Sequence, residues 1–148
     1  MKLRYLLLVM IILIGSVGLV GLRNYQMDSG LSALKADKGG IAINKLRPLA
    51  SLGDSKAQYW LGSIYAFGWG GVKKSDEEAV YWFRRAAMFV TDESDPAAPA
   101  ELEVGKTYAG IYEGAKIDKV ESIKWLQLAT AGGSKEAATL LAKTEQRK

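Results

Sequence analysis

Neither histidine nor cysteine occurs among the 148 residues. That removes serine–histidine and cysteine–histidine nucleophilic sites and the usual zinc constellations, all of which need an imidazole or a thiolate. Carboxylates remain, and two groups could supply a general acid and base: Asp76, Glu77 and Glu78, and the run Asp92, Glu93 and Asp95. Helix capping explains the first group and a solvated loop the second. The acidic run lacks the glycine and final glutamate of a calcium loop. Gly68-Trp69-Gly70-Gly71 is not a phosphate loop, because no Lys-Ser/Thr opens the helix after it. The expectation is a protein that is not an enzyme, with no cofactor and no metal.

Aromatic side chains beside arginine are the other residues with chemistry to offer. Trp60, Trp69 and Tyr81, with Arg84 and Arg85 following Tyr81, are of the types enriched at protein interface hot spots. These five are the candidate partner-binding residues. For Trp60 the competing role is packing between neighbouring helices.

The elements that must position them form a repeat. In Ala57 to Phe67, the residues Ala57, Leu61, Ile64 and Tyr65 line one face of a helix. The glycine-rich segment from Gly68 stops it. Ser75-Asp76-Glu77-Glu78 then has the form of a capping box, with Ser75 and Glu78 each placed to satisfy a free backbone N–H. Ala79, Trp82, Phe83, Ala86 and Ala87 make the apolar stripe of the second helix. The pairs Ala57/Ala100, Gly62/Gly105, Tyr65/Tyr108, Trp82/Trp125 and Ala86/Ala129 are each 43 residues apart. A recurrence of this length marks stacked helix pairs, each burying its apolar face on its neighbours. Gly62 and Ala86 suit close helix crossings, with Trp82 and Tyr65 filling the space between.

At these residues the chain resembles the Sel1-like repeat family. The first copy shows Ala57, Leu61-Gly62, Tyr65, Gly68-Trp69-Gly70 with one extra glycine before Val72, then Ala79, Trp82 and Ala86-Ala87. The second shows Val104-Gly105, Tyr108, Gly114, Asp118, Ser122, Trp125 and Ala129, with Ile111 in place of a turn glycine and Thr130 in place of an alanine. The resemblance implies an all-α fold, a short α-solenoid of antiparallel helix pairs after an N-terminal apolar helix. It also implies protein binding, since the family mostly supplies adaptors, scaffolds and inhibitors, and small exported members act as immunity proteins. Members linked with enzymatic activity carry regular cysteines that this chain lacks.

Taken in order, residues 1–23 read as a signal anchor or signal peptide. Lys2 and Arg4 precede an uncharged run from Leu6 to Leu22, which Arg23 closes. Seventeen residues rise about 26 Å as a helix, near the short limit for a bilayer. The run reads as an uncleaved anchor holding the domain on the periplasmic side of the inner membrane, with the basic end inside. The alternative is cleavage after Ser16-Val17-Gly18 and a soluble periplasmic chain. Basic residues exceed acidic ones by four overall, but from Asn24 onward seventeen face sixteen. So even a balance gives no footprint for nucleic acid.

Residues 24–40 read as a spacer with at most one helical turn near Leu31 to Ala36. A partial repeat follows at 41–53, in which Pro48 is expected to kink the helix or delay its start. Full repeats are expected at about 54–90 and 97–133. The first is capped by Asp54 or Ser55, and the second begins at an Asp95-Pro96 cap, with its first helix running to about Glu113 and Asp118 with Glu121 capping its second. Residues 134–148 close the array as a capping helix.

Overall fold

A computed structural model describes residues 2–88, 97–112 and 116–146; within these, the side chains of residues 2–9, 11–16, 97 and 98 stand outside the description. The described residues form seven α-helices and no strand: α1 (Lys2–Lys35), α2 (Gly39–Ser51), α3 (Ser55–Phe67), α4 (Asp76–Met88), α5 (Ala97–Tyr108), α6 (Lys119–Ala131) and α7 (Lys135–Gln146). A short 3-10 turn, Trp69–Gly71, joins α3 to α4. Each helix packs on the next, giving the all-helical solenoid that the repeat spacing implies.

Three apolar clusters follow one another along the array. Met27, Ala33, Ala42, Leu46, Leu61, Ile64 and Trp82 form the first. Phe83, Ala86, Ala100, Val104 and Trp125 belong to the second, and Leu102, Leu126, Ala129 and Ala137 to the third. The small residues of the repeat are where the helices cross most closely. A Cβ on Gly62 would stand 2.6 Å from the Phe83 ring, and one on Gly105 would stand 2.8 Å from Leu126. Real Cβ atoms do not approach so closely, so glycine at these positions lets a bulky side chain of the next helix lie directly on the backbone.

The same contact exists a third time, between Gly30 and Leu46, again at 2.8 Å. Residues 24–35 are therefore not a spacer. They continue α1 without a break and pack on α2, with Met27 and Ala33 buried. The glycine that suggests a linker is there for close packing. Helix α2 begins two residues earlier than expected and runs through Pro48 to Ser51.

Helix starts and stops are set locally. Asp54 is the N-cap of α3, its Oδ1 accepting from the Ala57 N–H at 2.9 Å. Asp118 does the same for α6 through the Glu121 N–H. Ser75 accepts from the Glu78 N–H at 3.2 Å, which is half of the expected capping box. The Glu78 carboxylate does not return to the backbone. It accepts the Trp82 indole N–H at 3.1 Å, and Glu121 accepts that of Trp125 at 3.0 Å. The carboxylate is free to serve the buried indole because the N–H of each cap residue already has a partner: Ser75 N–H donates to the Tyr65 carbonyl at 3.0 Å and Asp118 N–H to the Tyr108 carbonyl at 2.9 Å. Helix α5 ends at Tyr108 and not near Glu113, since Gly110 turns the chain in a left-handed conformation (φ 70°). The Asp92–Pro96 segment and Gly114 lie outside the described residues.

Candidate functional site

The five candidate residues fall into two groups. Trp60, on α3, is half-buried against the first apolar cluster. Trp69, in the 3-10 turn, is 40% exposed. Their rings lie 6.2 Å apart. From Trp69 the run continues to Phe67, stacked at 5.1 Å and 37% exposed, and from Phe67 edge-on to Tyr112 at 5.6 Å. In the other direction Trp60 meets Tyr59 at 6.1 Å, and Tyr59 meets Phe83 at 5.5 Å. One chain of rings thus links the core to the surface and the first repeat to the loop of the second.

The turn that places Trp69 is tightly constrained. Gly70 is left-handed (φ 63°), and a Cβ there would stand 2.0 Å from the Gly39 backbone nitrogen. The turn therefore seats on the start of α2, which fixes Trp69 relative to α1. Beside it, Leu31, Leu34, Lys35, Asp37, Trp60 and Trp69 line an open hollow of about 340 Å³. Its walls are mostly apolar, with one basic and one acidic side chain at the edge.

At the far end of the ring chain, the Tyr112 hydroxyl donates to the Glu103 carboxylate. Glu103 is buried, and it also accepts from Lys106 Nζ at 3.1 Å. Lys106 in turn reaches Glu136 of α7 at 2.7 Å. Burial together with the Glu103 charge pushes the Tyr112 phenol well above its ordinary range, so it stays a donor. Burial lowers the Lys106 pKa, but the hydrogen bonds and charges of Glu136 and Glu103 outweigh it, and the net shift is upward. These contacts tie α5, the loop that follows it and α7 to one another.

The second group lies on α4. Tyr81 is 49% exposed and packs edge-on against Trp82. The Arg85 guanidinium sits 5.7 Å from both ring centres, and its Nη1 donates to the Tyr81 hydroxyl at 3.0 Å. Arg84 lies over the Trp125 ring at 5.4 Å and so spans two repeats. Both cations are stacked on the repeat tryptophans, Arg85 half-buried and Arg84 exposed.

Of the carboxylates considered for catalysis, Asp92, Glu93 and Asp95 lie outside the described residues. Glu78 is engaged by Trp82, while Asp76 and Glu77 line a different hollow of about 390 Å³ with Val80, Thr107, Tyr108 and Lys116. Among the described residues, no group of acidic side chains is arranged to hold a metal ion.

Phe67, Tyr112 and the Glu103–Lys106–Glu136 set were missed in the sequence. Phe67 directly precedes the helix-ending Gly68, a local signal that it faces the turn. Nothing in the linear order joins Glu103 to Tyr112.

Residues 55–88 and 98–134 match the family model of the Sel1 repeat. This is a Sel1-like repeat protein. A similar solved structure is the crystal structure of a Sel1 repeat protein from Oxalobacter formigenes, 27% identical, with a TM-score of 0.63 over 90% of this chain and 97% of that one. No curated protein matches. Sel1 repeats generally bind protein partners, and the chain has the helical architecture of such an interaction module.

Proposed function

We propose that this Sel1-like repeat protein is a non-enzymatic binding module of the cell envelope. In this proposal Leu6 to Leu22 anchors it in the inner membrane and the solenoid faces the periplasm. There it holds a protein partner as an inhibitor of the immunity type or as an adaptor. The observation that carries the binding assignment is the Phe67–Trp69 stack, two large rings held in the open beside the hollow formed with Trp60, Leu31 and Leu34. An ordered aromatic pair at the surface offers large contact area with little conformational entropy left to lose.

For the anchor, the support is the sequence: an uncharged run flanked by Lys2, Arg4 and Arg23. Among the described residues no helix is long and apolar enough to cross a membrane, and most side chains of the Leu6–Leu22 run stand outside that description.

The test is capture of partners by the full-length chain from detergent-solubilised envelopes, followed by mass spectrometry. A partner retained by wild type and by Glu77→Gln, but lost with Trp69→Ala at unchanged melting temperature, is the expected result. Retention by a Phe67→Ala/Trp69→Ala double variant would place the interface elsewhere.

A further inference from the structure

A groove of about 480 Å³ runs between α1 and the turn from α2 to α3, lined by Leu19, Leu22, Arg23, Gln26, Pro48, Leu49, Leu52, Gly53 and Asp54. Leu52, at the tip of that turn, is 87% exposed. The turn is not loose. Leu52 N–H donates to the Pro48 and Leu49 carbonyls, Gly53 N–H to Ala50, and Asp54 N–H to Leu49. The backbone thus holds a large apolar side chain outward in a fixed position, next to Leu19 and Leu22, which are also exposed.

We propose that this turn seats in the interfacial layer of the same bilayer leaflet that α1 leaves, with Leu52 among the lipid headgroups and upper acyl chains. The inference rests on the anchor reading above. Two walls of the groove, Leu19 and Leu22, are the last leucines of the uncharged run, so the solvent that surrounds that run also reaches Leu52. The height is set by an ion pair: Arg23, which closes the run, donates through Nε to Asp54 Oδ2 at 2.6 Å, two residues from Leu52. Length agrees. Leu6 to Leu22 rises about 26 Å, short of a hydrocarbon core of about 30 Å, and apolar surface at Pro48 and Leu52 extends the lipid-compatible face where the helix falls short.

The chain has no native cysteine, so Leu52→Cys gives a single labelling site at a position whose exposure leaves packing undisturbed. Full-length protein carrying a bimane label there is reconstituted into phosphatidylethanolamine–phosphatidylglycerol vesicles. The control is Val120→Cys, similarly exposed on α6. The expected result is a blue-shifted label at 52, quenched by a lipid with a nitroxide near the headgroup, and a water-like, unquenched label at 120. Retention of the protein in the carbonate-washed membrane with a water-like label at 52 overturns the seating while leaving the anchor intact. Release of the chain by carbonate overturns the anchor, and the seating with it.

Discussion

The Glu78 carboxylate accepts the indole N–H of Trp82 one turn later on the same helix, and Glu121 accepts that of Trp125 in the same way. Each acid lies in the first turn of its helix, where the helix dipole favours negative charge. A residue that the sequence offers as a cap is therefore the partner of a buried ring. Removing the acceptor, in Glu78→Ala or Glu121→Ala, is expected to cost about 1 to 2 kcal/mol. Trp82→Ala and Trp125→Ala should each cost about 3 to 5 kcal/mol. Urea unfolding followed by circular dichroism orders the four variants, and equal losses for glutamate and tryptophan would contradict the assignment.

Gly62 faces Phe83 where Gly105 faces Leu126. Gly62→Ala is expected to destabilise by about 1 to 3 kcal/mol through overpacking. Phe83→Leu in that background should recover part of the loss, because it reproduces the narrower second-repeat side chain. A double-mutant cycle with no coupling between the two positions would show that they do not meet as described.

Asp54 caps α3 with one oxygen and pairs with Arg23 through the other. Asp54→Ala should lose about 1 kcal/mol from the cap alone. Asp54→Asn keeps the cap and should resemble Arg23→Ala, each costing about 0.2 to 1 kcal/mol for a pair with one exposed member. Thermal melts in detergent that rank Asn with Ala would rule out the division of labour.

Tyr112 and Tyr59 have phenols pushed upward, both mainly by burial, and Lys106 is raised as well. For groups whose folded pKa exceeds the unfolded one, the stabilisation is complete below the unfolded value and is lost as pH rises through the folded value. The loss should therefore begin above about pH 10, where unfolded tyrosine and lysine start to deprotonate. Melting temperature measured from neutral to strongly alkaline pH should fall in that range. Tyr112→Phe should begin lower and fall less steeply, and a slope identical to wild type would remove Tyr112 from the alkaline transition.

At the aromatic surface, Trp69→Ala is expected to weaken the partner complex by about 1 to 3 kcal/mol with little change in melting temperature. Tyr81→Ala should weaken it less, since Tyr81 is already engaged by Arg85 and Trp82. Calorimetry with the captured partner decides the order, and a larger loss for Tyr81 would move the interface to α4.

The repeat was legible because its positions carry the extremes of side-chain size. Trp82 and Trp125, with Gly62 and Gly105, have no common substitute for filling and clearing a helix crossing, so their spacing survives as a pattern. The first helix pair was hidden because its bulky partner is Leu46, a residue found on any apolar face, and because Gly30 read alone looks like a linker. The division of the candidate site was hidden for another reason. Tyr81 and Trp69 look alike in sequence, and only the fold shows that one pairs with Arg85 on its own helix while the other stacks on Phe67 beside the hollow. Glu103 gave no signal, since its burial depends on Tyr112 and on Lys106, itself held by Glu136 of α7.

On the proposed anchoring, the unbroken course of α1 from the uncharged run into the first helix pair would make it a ruler as well as a tether. With Arg23 at the membrane surface, as proposed, Leu31 and Leu34 stand about 12 and 17 Å farther along the helix axis. These leucines wall the hollow that holds Trp60 and Trp69. No flexible joint intervenes, so tilting α1 in the bilayer would tilt the hollow by the same angle. A partner would have to present its binding segment within that short reach of the lipid, which favours one that is itself embedded in the membrane or passing through it.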